Sequence, residues 1–106
     1  MDQRGLLGKR IQELRLGRGL SQETLAEKMG VNAKYLGFIE QGRANPTLDV
    51  LLNIARCLKV EPVDLFNYAW INLSDSEVRK RIKALADDTD GERLREMLAL
   101  LKAREV

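Results

Sequence analysis

Apolar residues recur at helical spacing through the first part of the chain, and glycine or polar residues interrupt the pattern. The spacing predicts a first helix over residues 6–16. Its apolar stripe consists of Leu7, Ile11 and Leu14. Ser21 stands at an N-cap position, so we predict a second helix that starts there and ends at Gly30.

Three more helices follow from capping signals and apolar stripes. Asn32 can cap a third helix that runs to about Gln41. Thr47 can cap a fourth helix, and Pro62, at a first helical position, opens a short fifth helix through Phe66. The stripe of the fourth helix consists of Leu48, Leu51, Leu52, Ile54, Ala55 and Leu58.

A boundary is predicted near residue 71, which divides the chain into residues 1–70 and 71–106. Ser74 begins a capping-box pattern that starts one helix, and a final helix is expected from Glu92 to about Glu105. The apolar stripes of this pair consist of Val78, Ile82, Leu85, Leu94, Met97, Leu98 and Leu101. Since no strand pattern is found, the expected fold class is all-α.

The second and third helices are joined by a short turn that contains Gly30. Ala26 lies four residues before this glycine, where a bulky side chain would prevent close helix crossing. Leu36 and Ile39 lie on the inner face of the third helix. Together these features indicate a helix-turn-helix, in which one helix braces the next and the N-terminus of that next helix enters the DNA major groove.

Residues 15–42 resemble the Cro and lambda-repressor type of helix-turn-helix, also called the xenobiotic response element family. The motifs that carry the resemblance are Gly19-Leu20-Ser21-Gln22, Leu25-Ala26, Gly30-Val31 and Ile39-Glu40-Gln41-Gly42. It continues through Asn45-Pro46-Thr47-Leu48 and Leu51-Leu52 to Val63-Asp64-Leu65. The resemblance implies a five-helix, lambda-repressor-like DNA-binding domain, followed here by a two-helix extension. It also implies a transcriptional regulator that reads operator DNA in the major groove with the third helix.

By this resemblance, base reading is expected from the start and outer face of the third helix. The candidates are Asn32, Ala33, Lys34, Tyr35 and Phe38. Lys34 can donate to guanine or rest on a phosphate, and Ala33 or Phe38 can contact a thymine methyl group. The alternatives are that Asn32 acts mainly as a cap, that Tyr35 packs on the domain, and that Phe38 is merely exposed apolar surface.

Three further residues match phosphate-binding positions of the family: Gln22, Arg43 and Asn45. A guanidinium forks around phosphate oxygens, which makes Arg43 the stronger candidate in the loop, although a solvated arginine is the alternative. Arg15 and Glu40 match a pair that often forms an internal ion pair in family members. We therefore assign this pair to the architecture and not to DNA binding.

The composition argues against an enzyme. The chain has no histidine and one cysteine, Cys57, so the usual Ser/His and Cys/His catalytic arrangements and the commonest metal sites cannot be assembled. We expect no catalytic residue, metal or cofactor, and we expect Cys57 to be a small buried side chain. The net charge is only +2, but residues 1–45 carry eight cations against five anions, which permits DNA binding.

The C-terminal helix pair must bury its apolar stripes against something, because the five-helix domain of the family is closed without it. A homodimer is the economical inference, since it would place two recognition helices about 34 Å apart on operator half-sites. Packing of the pair on its own domain is the alternative. A different class of function also remains: an antitoxin-like module whose C-terminal helices hold a partner protein. No stretch is apolar enough for a membrane span or a signal peptide, so we expect a cytoplasmic protein.

Overall fold

The computed structural model describes residues 2–104, apart from the side chains of Ala69 and Asn72. Regular secondary structure in these residues is entirely helical, which confirms the expected all-α fold class. The α-helices are α1 (Gln3–Gly17), α2 (Gln22–Met29), α3 (Ala33–Glu40), α4 (Leu48–Leu58), α5 (Asp75–Asp87) and α6 (Gly91–Ala103). Short 3-10 helices occupy Pro62–Phe66 and Ala69–Asn72, so the predicted fifth helix forms as a 3-10 turn. Glu105, the predicted end of the last helix, lies outside the described residues.

Side-chain caps begin every α-helix. Each capping oxygen accepts a hydrogen bond from a backbone N–H three residues later, which satisfies a donor that has no partner inside the helix. The capping residues are Asp2, Ser21, Asn32, Thr47, Ser74 and Asp90. Four of these caps were predicted. The other two caps, Asp2 and Asp90, were not predicted. Because they cap α1 and α6, these helices begin earlier than expected.

The chain divides into two compact units, residues 1–71 and 72–106. In the first unit, α1 and α2 pack against α3, and α4 packs against α2 and the 3-10 helix at Pro62–Phe66. The resulting core is continuous. Its largest fully buried side chains are Ile11, Leu25, Leu36, Ile39, Ile54, Leu58 and Leu65.

The crossing of α1 and α3 depends on Gly8. A Cβ atom at this position would collide with the carbonyl oxygen of Ile39 and would lie 2.6 Å from that of Glu40. The sequence pattern pointed to Ala26 for close helix approach, and Ala26 is indeed buried. The tightest backbone contact, however, is at Gly8, which fixes how near α1 comes to the C-terminal end of α3.

Polar side chains tie the ends of elements together within the first unit. Arg18 donates from Nε to the carbonyl oxygen of Leu58 at 2.9 Å and from Nη2 to that of Lys59 at 3.0 Å. Arg10 donates from Nε to the carbonyl oxygen of Asp64 at 2.8 Å, and its guanidinium carbon lies 4.7 Å from the ring centroid of Trp70. These contacts hold the segment after α4 against α1.

The prediction for Cys57 was wrong in degree, because its side chain is half-buried rather than buried. It lies near the C-terminal end of α4, at the edge of the core, and its Sγ is 3.7 Å from Oδ1 of Asn53. The apolar periodicity placed this residue beside the buried face but could not show how completely the neighbouring elements cover it.

The second unit consists of α5 and α6, and neither helix has a fully buried side chain. Val78 and Leu94 are partly buried. The other predicted stripe residues are exposed: Ile82, Leu85, Met97, Leu98 and Leu101. No helix among residues 2–104 is both long enough and apolar enough to span a membrane.

Candidate nucleic-acid interface

The turn between α2 and α3 is only three residues long. Gly30 ends α2 in the left-handed conformation with φ of 77°, which glycine adopts without steric cost. Its backbone N–H donates to the carbonyl oxygens of Ala26 and Glu27 in the last turn of α2. Asn32 then caps α3: its Oδ1 accepts from the backbone N–H of Tyr35 at 2.8 Å. The connection is therefore short, and α3 starts at the protein surface, with Asn32 and Lys34 exposed.

The five candidate base readers differ in exposure. Asn32 and Lys34 are exposed, whereas Ala33, Tyr35 and Phe38 are partly buried. Ala33 and Tyr35 pack against the core, so the alternative of partial packing describes part of what Tyr35 does. Asn32 uses its oxygen as a cap, which leaves its amide N–H groups as the end that can meet a base or phosphate.

Arg15 and Glu40 form a two-pronged ion pair between α1 and α3. Arg15 Nε lies 2.7 Å from Glu40 Oε2, and Arg15 Nη2 lies 3.0 Å from Glu40 Oε1. Only 8% of the arginine side chain and 1% of the glutamate side chain are exposed. Arg15 also donates from Nη1 to the carbonyl oxygen of Leu20 at 2.8 Å. Buried charges in such a pair need this kind of complete hydrogen bonding to offset their lost hydration.

Gln22 joins this network. Its Nε2 donates to Oε1 of Glu40 at 3.0 Å, so a single carboxylate receives both the arginine of α1 and the amide of α2. The amide lies beside Gly37: a Cβ there would make an ordinary van der Waals contact with Gln22 Oε1 at 3.6 Å. The sequence pattern did not predict this hydrogen bond. The available signal was that an ionised carboxylate can accept more donors than one guanidinium supplies.

The loop after α3 places Arg43 against the outer face of that helix. Its guanidinium carbon lies 4.8 Å from the ring centroid of Phe38, and its Nη1 donates to Oε1 of Gln41 at 3.3 Å. Lys34 Nζ lies 5.8 Å from the same ring centroid. Asn45, the other loop candidate, is exposed.

The structure thus brings six of the ten candidate residues into two clusters, and it does not bring Asn32, Ala33, Tyr35 or Asn45 into either of them. Arg15, Glu40 and Gln22 form one hydrogen-bonded group, and Lys34, Phe38 and Arg43 form a second group on the outer side of α3. Amide and cationic donors of this kind can bind phosphate oxygens and guanine edges. Among residues 2–104, no three histidine, cysteine, aspartate or glutamate side chains are grouped as they would be to hold a metal ion.

Comparison with known proteins covers the first unit. A family described as Helix-turn-helix matches residues 11–65. An uncharacterized HTH-type transcriptional regulator of Sinorhizobium fredii, y4dJ, is 40% identical over 65 residues, which cover 61% of this chain and 84% of that protein. Control protein C.BamHI of Bacillus amyloliquefaciens is 35% identical over 67 residues, which cover 62% of this chain and 83% of that protein. The crystal structure of the restriction-modification controller protein C.AhdI from Aeromonas hydrophila superposes with a TM-score of 0.58 and 44% identity, covering 58% of this chain and 94% of that chain.

Proposed function

The chain belongs to the helix-turn-helix family of DNA-binding transcriptional regulators, and we propose that it binds operator DNA as a twofold homodimer with α3 in the major groove. In this proposal residues 1–70 contact DNA and residues 71–106 join two copies. For a DNA-binding regulator of this family, we propose the cytoplasm as the place of action.

The hydrogen bond between Gln22 and Glu40 is the observation that carries the DNA-binding geometry. Glu40 of α3 accepts hydrogen bonds from Arg15 of α1 and from Gln22 at the N-terminus of α2. These bonds stabilise one relative position of α2 and α3 before DNA is bound. Gln22 Nε2 has two hydrogens and uses one in this bond, so the second can donate to a phosphate. Such preorganisation reduces the entropy lost on binding.

Residue roles follow from exposure and donor chemistry. We assign base reading to Asn32, Ala33, Lys34, Tyr35 and Phe38, and phosphate binding to Gln22, Arg43 and Asn45. Lys34 leads the first group, since its ammonium is exposed at the second position of α3. The partial burial of Ala33 and Tyr35 supports smaller base contacts for them.

The proposal of a homodimer rests on the second unit. Ile82, Leu85, Leu98 and Leu101 are each between 57% and 64% exposed, although they lie on amphipathic helices whose caps are well formed. An apolar stripe of this kind is a typical association surface. A twofold dimer would present two α3 helices to half-sites about 34 Å apart.

The same exposed stripe supports a second candidate, a module that holds a different protein while the first unit regulates transcription. Sedimentation velocity of the purified protein distinguishes the two. A stable dimer supports the first proposal, and a monomer at micromolar concentration supports the second.

Selection of bound sequences from a random duplex pool at defined salt tests the DNA-binding mode. We expect an enriched inverted repeat with half-sites about one turn apart. Lys34→Ala should change the preferred bases, whereas Arg43→Ala should weaken binding to all sequences and reduce the salt slope by about one. Lys83→Ala, on α5, is the matched charge control and should change neither. If only salt-sensitive binding without enrichment is found, the operator proposal is wrong.

A further inference from the structure

The outer face of α3 carries two cations on one aromatic ring. Lys34 lies one helical turn before Phe38, and its Nζ is 5.8 Å from the ring centroid. Arg43 reaches the same ring from the loop after α3, with its guanidinium carbon 4.8 Å from the centroid. Both distances lie within the range of about 6 Å over which an aromatic ring attracts a cation.

No aspartate or glutamate that the structure describes competes with the ring for these cations. Among the described residues, neither Lys34 nor Arg43 lies within ion-pair distance of an aspartate or glutamate, and Arg43 has only a 3.3 Å hydrogen bond to Gln41 besides its ring contact. Both side chains are long and exposed, so they would otherwise sample many rotamers in water. An exposed cation–ring contact raises the population of the rotamer that lies over the ring by about two- to fivefold.

We propose that Phe38 is a positioning residue that holds Lys34 and Arg43 in place for DNA before DNA is bound. This inference rests on the proposed function, since it assigns Lys34 to bases and Arg43 to phosphates. It replaces thymine-methyl contact as the main role of Phe38. In this arrangement one ring sets the position of both the cation directed at bases, Lys34, and the cation directed at phosphates, Arg43.

The geometry can be tested in the free protein by NMR. Protons above an aromatic ring face are shifted upfield, so we expect upfield shifts for the ε-methylene of Lys34 and the δ-methylene of Arg43. Phe38→Leu, which keeps an apolar side chain, should abolish both shifts, whereas Phe38→Tyr should keep them. Unchanged backbone amide spectra elsewhere would show that both variants fold. Absence of the shifts in the unmodified protein overturns the proposal, whatever DNA the protein binds.

A mutant cycle tests the consequence for DNA binding. Phe38→Leu should weaken operator binding by about four- to twenty-five-fold, the product of the losses of two ring contacts. In the Lys34→Ala/Arg43→Ala background the same change should have an effect of less than about twofold. Phe38→Tyr, which keeps an aromatic ring, should bind the operator with the affinity of the unmodified protein.

The alternative role predicts a different result. If Phe38 mainly contacts a thymine methyl group, Phe38→Leu will weaken binding equally in both backgrounds, and this outcome overturns the positioning role. Should no operator be found, the cycle is measured on nonspecific duplex at low salt, because phosphate contact by Arg43 needs no particular sequence. In that case the operator proposal fails, while the ring shifts and the cycle still decide the role of Phe38.

Discussion

The two units of this chain contain helices of similar length with similarly formed caps, yet their apolar side chains have opposite surroundings. In α4, an 11-residue helix of the first unit, Ile54 and Leu58 are completely buried. In α5, a 13-residue helix of the second unit, Leu85 is 64% exposed and Ile82 is 58% exposed. Caps and periodicity therefore do not distinguish the core helix from the exposed one.

The difference shows where the second unit can gain stability. A buried leucine gains about 1.5–3 kcal/mol relative to an exposed one, because its apolar surface leaves water. The first unit obtains this gain from its own helices, whereas α5 and α6 leave most of their stripe in solvent. Another surface that covers this stripe would supply the missing gain, which is the physical basis of the proposed assembly.

The largest effect is expected from the buried polar network of Arg15, Glu40 and Gln22 in the first unit. Glu40→Ala leaves the Arg15 guanidinium buried without its carboxylate, so the free energy of unfolding should fall by about 3–5 kcal/mol. Urea denaturation followed by circular dichroism measures this loss. The double variant Arg15→Met/Glu40→Leu should recover much of it, since no unpaired charge remains. A loss below about 1 kcal/mol for Glu40→Ala would contradict a buried pair.

A matched pair of leucine truncations compares the two units directly. Leu36→Ala removes a completely buried side chain of α3 and should lower the free energy of unfolding by about 2–5 kcal/mol. Leu85→Ala removes an exposed side chain and should change it by less than about 0.5 kcal/mol at concentrations where the protein is monomeric. Equal losses in denaturation experiments would mean that Leu85 is covered in solution.

Charged substitutions on the exposed stripe test what covers it. Leu85→Glu/Leu98→Glu should weaken self-association at least about tenfold, because two charges per copy would have to be desolvated in the interface. Sedimentation velocity over a concentration series measures the change. Lys80→Glu, also on the second unit, changes the net charge by the same two units per copy and controls for that change. Unaltered association in the leucine variant would place the dimer interface elsewhere.

The smallest expected effect comes from removing the same cap in each unit. Ser21→Ala should lower the global free energy of unfolding by about 1 kcal/mol, since α2 is part of the closed core. Ser74→Ala should instead increase amide hydrogen exchange in α5 with little change in the global transition. If both substitutions shift the global midpoint equally, the two units unfold as one.

Local chemistry determined much of the fold from sequence alone. A cap bonds a backbone N–H only three residues away, so Ser21, Asn32, Thr47 and Ser74 could be identified without knowledge of any distant residue. The helix-turn-helix followed from the same short-range spacing, and the family followed from the resemblance of residues 15–42 to known helix-turn-helix regulators. The start of α1 was missed because Asp2 caps a first turn without an apolar pattern.

Tertiary structure alone decided the contacts between residues far apart in sequence. The hydrogen bond from Gln22 to Glu40 spans 18 residues, and the approach of Gly8 to the backbone of α3 spans more than 30. The ring contacts of Phe38 depend on how the loop returns Arg43 to the helix. Periodicity shows which face of a helix is apolar, but only the neighbouring elements determine whether that face is covered. For this reason the sequence predicted the stripes of α4 and α5 in the same way. The structure showed that Ile54, Ala55 and Leu58 of α4 are buried, whereas Leu48 and Leu52 of the same predicted stripe are exposed. It also showed that Ile82 and Leu85 of α5 are exposed.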